Sequence, residues 1–208
     1  RVWVNNTEVS QMQESLTTPH QFDLTSYLKT GKNKITIRVD NRKKYNISVN
    51  EMAHAYTDET QIKWNGIIGE ISCIARDKIQ IDEVQIFPDP AGNNARVRIT
   101  VLNLTGKKAK GSISLLADHV QSGSKSNKIN LPFETTKLRE TVEVVYHLGD
   151  VKRLWDEFQP NLYQLTTTIS GRKFSDTRLS GFGMRAISDI SAGLEGSNHP
   201  FFLIGRLE

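Results

Sequence analysis

Leu154-Trp155-Asp156-Glu157-Phe158-Gln159-Pro160-Asn161-Leu162-Tyr163-Gln164-Leu165 is the stretch that decides the fold. Pro160 blocks a helix from running through it, so the first half reads as a turn-rich loop. From Leu162 to Ile169 the residues favour strand, and Ser170-Gly171 closes the run. A large ring just ahead of such a strand packs beneath its own loop and closes the end of a β-sandwich. This predicts Trp155 and Tyr163 substantially buried in an all-β domain.

Outward from this stretch the same rhythm repeats. Ile79-x-Ile81 and Val84-x-Ile86 lead to the stop Pro88-Asp89-Pro90, and Ala95–Val101 alternates as a strand before the turn Thr105-Gly106. Ile113–Leu116 follows, then the low-complexity loop 121–127, then an alternating run from Glu140 to Tyr146. Phe174-Ser175-Asp176 begins a last strand that ends in Gly181-Phe182-Gly183-Met184-Arg185. Short strands spaced by about 8–12 residues imply a sandwich.

Upstream, Val2-Trp3-Val4 runs into the hairpin signal Asn5-Asn6, with Glu8-Val9 as a return. Asp23 and Thr25 suit the cap of the turn Ser26-Tyr27-Leu28, and Gly31-Lys32-Asn33 is another turn. Lys34–Asp40 alternates as a half-buried strand. The polar stretch from Asn41 to Thr60 is long for a loop, and long loops on a sheet scaffold tend to carry function.

The motifs Trp155, Pro160-Asn161-Leu162-Tyr163 and Phe182-Gly183-Met184-Arg185 resemble the immunoglobulin-like sandwich of family 2 glycoside hydrolases, the β-galactosidase and β-glucuronidase group. Residues 1–78 resemble the later part of that family's sugar-binding jelly roll. Val2-Trp3-Val4-Asn5-Asn6, Phe22-Asp23-Leu24-Thr25, Arg38-Val39-Asp40-Asn41 and Thr60–Ile71, with its Trp64-Asn65-Gly66-Ile67, carry this likeness. Phe201–Arg206 resembles the hairpin leading into the catalytic barrel, with Ile204 where Asn or Arg is expected. The resemblance implies two β-sandwiches, a partial jelly roll at 1–78 and an immunoglobulin-like sandwich at 79–185. Residues 186–208 would be a linker and the start of a barrel. Trp155, Pro160, Tyr163, Phe182 and Arg185 are then structural residues. The chain opens on Arg1 and strand-like residues, so a preceding segment is expected.

Of 208 residues, 37% are hydrophobic and 24% charged, the balance of a folded domain and not of a disordered one. The net charge of +4 is spread out, as +2, +4 and −2 over residues 1–78, 79–185 and 186–208. That spread argues against nucleic acid as a partner, and no apolar run reaches membrane-spanning length. The single cysteine, Cys73, sits between apolar neighbours and reads as a buried strand residue.

Retaining glycosidases need two carboxyl groups about 5–5.5 Å apart. The adjacent pairs Asp58-Glu59 and Asp156-Glu157 do not supply them, because neighbours on a strand point apart. No catalytic residue is therefore expected within the chain. The histidines 20, 54, 119, 147 and 199 lack metal-binding spacing and read as surface or loop residues, so neither metal nor cofactor is expected. Asn5, Asn46 and Asn103 begin glycosylation sequons, a pattern that recurs by chance. Trp64 with Asp58, Gln61 and Asn65 could stack on a sugar face and pair its hydroxyls, and the resemblance adds Thr60 to the set. The expected partners are a β-glycoside reached through a parent enzyme, that enzyme's own barrel, and a second copy of the chain. Export to the periplasm or beyond is the expected location. The rival reading is an autonomous carbohydrate-binding or adhesive β-sandwich protein.

Overall fold

The computed structural model describes residues 1–9, 12–15, 18–40, 66–185, 187–190, 193–196 and 199–201, the last three runs as backbone. Among them there is no α-helix, and the chain is all-β. It divides into two compact units, Arg1–Cys73 (with Glu208) and Ile74–Leu207.

In the first unit β1 (Val2–Val4) pairs antiparallel with β2 (Thr7–Glu8) and with β3 (Ile35–Ile37), in the order β2-β1-β3. Asn5 and Asn6 have φ of 50° and 71°, the left-handed turn that a tight hairpin requires. Thr25 N–H donates to Asp23 Oδ1 at 2.9 Å as anticipated, and this bond with the Thr25 side chain holds the Asp23 carboxyl below its usual range. Val2, Val4 and Val9 form a small core beneath Phe22, Leu24 and Tyr27. Two expectations fail here. Ile35 and Ile37 are exposed, not half-buried, and Cys73 is exposed and outside any strand. The cause is shared: among the described residues no second sheet lies over β3, and residues 66–78 pair with no strand.

The second unit is a sandwich. One sheet has the order β4-β5-β8, with β4 Ile79–Asp89, β5 Asn94–Asn103 and β8 Arg139–His147. The other has the order β10-β9-β6-β7, with β6 Ala109–His119, β7 Ile129–Thr135, β9 Tyr163–Gly171 and β10 Phe174–Phe182. All pairings are antiparallel. This is the three-plus-four arrangement of an immunoglobulin-like sandwich. Alternation builds the core: Val97, Ile99 and Val101 of β5 face Ile113, Leu115 and Ala117 of β6 and Leu165 and Ile169 of β9.

The apolar phase slips between Ile81 and Val84, and the structure shows why. β4 is one strand, bulged between Ile81 and Glu83, so Asp82 has no opposite number on β5. The bulge lets β4 meet β10. Ile81 N–H donates to Asp176 Oδ2 at 2.7 Å, and Arg76 engages the same carboxylate with both Nε and Nη2. Arg178 Nη2 adds a 3.3 Å bond to Asp82 O, and Ser175 N–H donates to Asp77 Oδ2 at 2.8 Å. Arg76, Asp77 and Asp176 thus pin the entering chain across the edge of the sandwich.

The last strands, β11 (Ile187–Ile190), β12 (Gly193–Gly196) and β13 (His199–Phe201), form an antiparallel meander that pairs with neither sheet of the sandwich. Among the described residues no helix is long and apolar enough to cross a membrane.

Candidate functional site

The sugar-contact candidates Asp58, Thr60, Gln61, Trp64 and Asn65 lie outside the described residues, as does the pair Asp58-Glu59. What the structure assembles is the end of the sandwich, around residues 152–163.

Tyr163 begins β9 and is fully buried. Its hydroxyl accepts Arg153 N–H and donates to Arg153 O at 3.2 Å, ten residues upstream in the connection from β8. This is the tyrosine corner of immunoglobulin-like sandwiches, the strand-ending ring that ties the preceding loop to the core. Burial raises the phenol above its ordinary range, opposed in part by the Arg153 backbone bond. Tyr163 stacks on Phe182 at 5.3 Å between ring centres and lies 5.3 Å from His119, tilted by 57°.

Trp155 is half-buried, less enclosed than its sequence context implies. Its N–H donates to Met184 O at 2.9 Å, and Leu154 bridges Met184 in parallel, so the loop grips the last residues of the sandwich. Arg185 lays its guanidinium 4.6 Å over the Trp155 ring. Gly183 leaves room for that ring: a Cβ there would stand 3.2 Å from Trp155 Cβ, Cγ and Cδ1. Pro160 bridges back to Trp155, and Asp156 Oδ1 accepts the amides of Phe158 and Gln159 at 2.8 and 2.6 Å. Asp156 is therefore occupied in holding a turn, while Glu157 is exposed.

His119 corrects the expectation of a surface residue. It is 2% exposed, because it falls on the inward phase at the end of β6. Its Nδ1 lies 2.7 Å from the Ser122 hydroxyl and 3.2 Å from Ser122 N, and its Nε2 lies 3.0 Å from Asn161 Oδ1. Asn161 Nδ2 in turn donates to Leu154 O at 2.8 Å. His20 and His147 are exposed as expected.

An open surface depression of about 240 Å³ is lined by Lys108, Glu134, Lys137 and Glu140. There, hydrogen bonds from Lys108 and Lys137 respectively hold the two glutamates below their usual range, ionised and unable to donate a proton. Among the described residues no three of His, Cys, Asp or Glu group as metal ligands. The sequon at Asn103 is closed: the side chain is buried, donating to Lys107 O at 2.8 Å and accepting the Thr105 hydroxyl at 2.6 Å.

Comparison with known proteins gives this end of the sandwich a context. The chain is 28% identical to the beta-galactosidase large subunit of Leuconostoc lactis over 176 residues, covering 81% of this chain and 24% of that protein. It is 25% identical to the beta-galactosidase of Clostridium acetobutylicum over 173 residues, 81% of this chain and 17% of that one. The chain thus spans about a quarter, or less, of the length of these relatives. The fold is similar to a crystal structure of a glycosyl hydrolase family 2 member from Bacteroides cellulosilyticus (TM-score 0.65, 17% identity), covering 96% of this chain and 25% of that one. The family model described as Glycosyl hydrolases family 2, sugar binding domain, matches residues 1–76, and that described as Glycosyl hydrolases family 2 matches residues 79–185. With its two consecutive matches and its immunoglobulin-like sandwich, the chain belongs to glycosyl hydrolases family 2.

Proposed function

We propose that this chain is a non-catalytic part of a β-galactosidase-like enzyme that hydrolyses O-glycosidic bonds, serving as scaffold and as a sugar-contacting domain. The observation that carries the reading is the order of matches, sugar-binding domain then sandwich, along a chain about a quarter as long as a beta-galactosidase large subunit. The chemistry agrees: apart from Asp118, whose Oδ1 is buried without a hydrogen-bond partner, the described carboxylates are engaged by amides, arginines or lysines, or are exposed, and none forms a facing pair of the kind a retaining mechanism needs. The catalytic carboxylates belong to a barrel that the parent enzyme supplies, with the β-glycoside bound there. The sugar contacts assigned to this part are Asp58, Thr60, Gln61, Trp64 and Asn65, through ring stacking and paired hydrogen bonds. Export of the parent and self-association are carried as parts of the same proposal.

The natural gene discriminates this reading from its rival, an autonomous carbohydrate-binding or adhesive sandwich. An open frame continuing into a barrel of about 300 residues after Glu208 is expected. A stop codon directly after Glu208 in the natural gene contradicts the enzyme reading. Sugar contact is tested by titrating galactosides against the chain: Trp64→Ala is expected to abolish binding while the sandwich at 79–185 stays folded, and unchanged binding contradicts it.

A further inference from the structure

The sandwich as described has four outer edges, and three of them are guarded. β4 and β10 lie against each other, with Ile81 N–H on Asp176 Oδ2 at 2.7 Å and Arg178 on Asp82 O at 3.3 Å. β7 carries Pro132, which has no N–H to offer an incoming strand. β8, on the outside of the β4-β5-β8 sheet, has neither cover nor guard. Arg139–His147 holds no proline or lysine, and its register with β5 is unbroken by any bulge. Its charged side chains are matched within the chain: Arg139 by Asp82, Glu140 by Lys137, and Glu143 by Arg96 and Arg98.

Hydrogen bonding fixes which backbone groups of β8 are open. Asn103 N–H donates to Leu138 O at 2.8 Å and Leu148 N–H to Asn93 O at 3.3 Å, so the even-numbered residues face β5. Alternation then turns the N–H and C=O of Arg139, Thr141, Glu143, Val145 and His147 to the open edge. An unpaired row of this kind is a template for another strand.

We propose that a second copy of the chain adds its own β8 at this edge, antiparallel, about a two-fold axis at Val144. The side chains select the register. With the axis there, Val142 stands opposite Tyr146 of the partner subunit and Val144 opposite Val144 of the partner subunit. This extends the inner row that already packs on the core. On the outer face Thr141 stands opposite the partner's His147 and Glu143 opposite the partner's Val145. No like charges meet, and Arg139 and Glu140 fall outside the paired segment. An axis at Glu143 would set two carboxylates directly opposite, and one at Val142 would set Glu140 against the apolar inner row. The contact is isologous and closes as a dimer. It gives a surface to the self-association named above, and its failure would leave the glycosidase reading untouched.

Sedimentation equilibrium of the whole chain is expected to show a monomer–dimer equilibrium with a Kd of about 0.1 mM or tighter, as small interfaces give. Thr141→Pro removes an N–H that points outward and bonds no strand of its own sheet. It should keep the fold and weaken association at least about tenfold. Disulfide trapping in a Cys73→Ser background reads the register. Val144→Cys should link two copies on mild oxidation, because residues paired at such an axis lie about 4.5 Å apart between Cα atoms, within disulfide reach. Val142→Cys, off the axis, should not. The trapping decides the matter if Thr141→Pro fails to fold. A chain that stays monomeric up to about 1 mM overturns the proposal. So does Thr141→Pro dimerising as wild type does, or Val142→Cys linking as readily as Val144→Cys.

Discussion

At the scale of single residues, Tyr163 shows most plainly how sequence becomes fold. Pro160-Asn161-Leu162-Tyr163 is legible as a family signature, and its burial is legible too, but its hydrogen bond is not. The partner is the backbone of Arg153, and no side-chain pattern announces a main-chain acceptor. Tyr163→Phe removes that bond while leaving the Arg153 amide without its acceptor, and should destabilise the second unit by about 1–3 kcal/mol, read as a lower urea midpoint. The pH dependence has a definite sign. Burial raises the folded-state phenol above its ordinary value near 10, so the folded state holds its proton more tightly than the unfolded chain. The associated stability is fully present below pH 10 and is lost as pH rises through the folded value. Wild type should therefore weaken above pH 10 more steeply than Tyr163→Phe; parallel curves would contradict the assignment. His119 was hidden for a related reason. Five scattered histidines carry no spacing signal, and only the phase of β6 turns this one inward.

At the scale of elements, alternation was the readable quantity, and its interruptions were not. β5 and β8 stand where period-two patterns place them and β10 begins at Phe174 where the last strand is expected, whereas β7 (Ile129–Thr135) is not legible because Pro132 interrupts it. Pro132 is tolerated because β7 is the edge of its sheet. The slip at Ile81–Val84 is visible in sequence, but its meaning as a bulge needs the partner strand. Two element contacts invite tests. Gly111 and Gly171 pair across β6 and β9 beneath the ring of Phe174, and a Cβ on Gly111 would lie 2.1 Å from Ser170 O. That neighbour is backbone and cannot rotate away, so Gly111→Ala should cost about 2 kcal/mol or more by chemical denaturation. Asp176 binds Arg76 and the Ile81 amide at the bulge, with its side chain 12% exposed. Asp176→Ala takes the carboxylate from the half-buried Arg76 guanidinium, which keeps its bond to Ile81 O, and leaves the Ile81 amide unmatched, for a loss of about 3 kcal/mol; a loss under about 1 kcal/mol would show the clasp to be ornamental.

At the scale of the whole molecule, the described residues of the two units differ in how much they bury. The second has a core drawn from both sheets, with Ile81, Val97, Ile99, Ile113, Leu115 and Leu165 fully enclosed, whereas the first encloses Val2, Val4 and Val9. Ile68, Ile71 and Ile74 stand 65–82% exposed near the end of the first unit. A small core opens more readily, so limited proteolysis should cut within residues 1–73 before it cuts within 79–185; the reverse order would contradict this reading. The sandwich was legible because its strands are long and regular. The candidate sugar contacts rest on sequence alone, since Asp58–Asn65 lie outside the described residues.

The central claim is that this part of a family 2 glycosyl hydrolase holds no catalytic centre of its own. Steady-state hydrolysis of a chromogenic β-galactoside by the rigorously purified chain tests it most directly. The account predicts no release of the aryl group above the buffer rate, because among the described residues no facing carboxyl pair supplies nucleophile and acid. Sustained turnover that disappears on replacing Asp58 or Glu59 would contradict it.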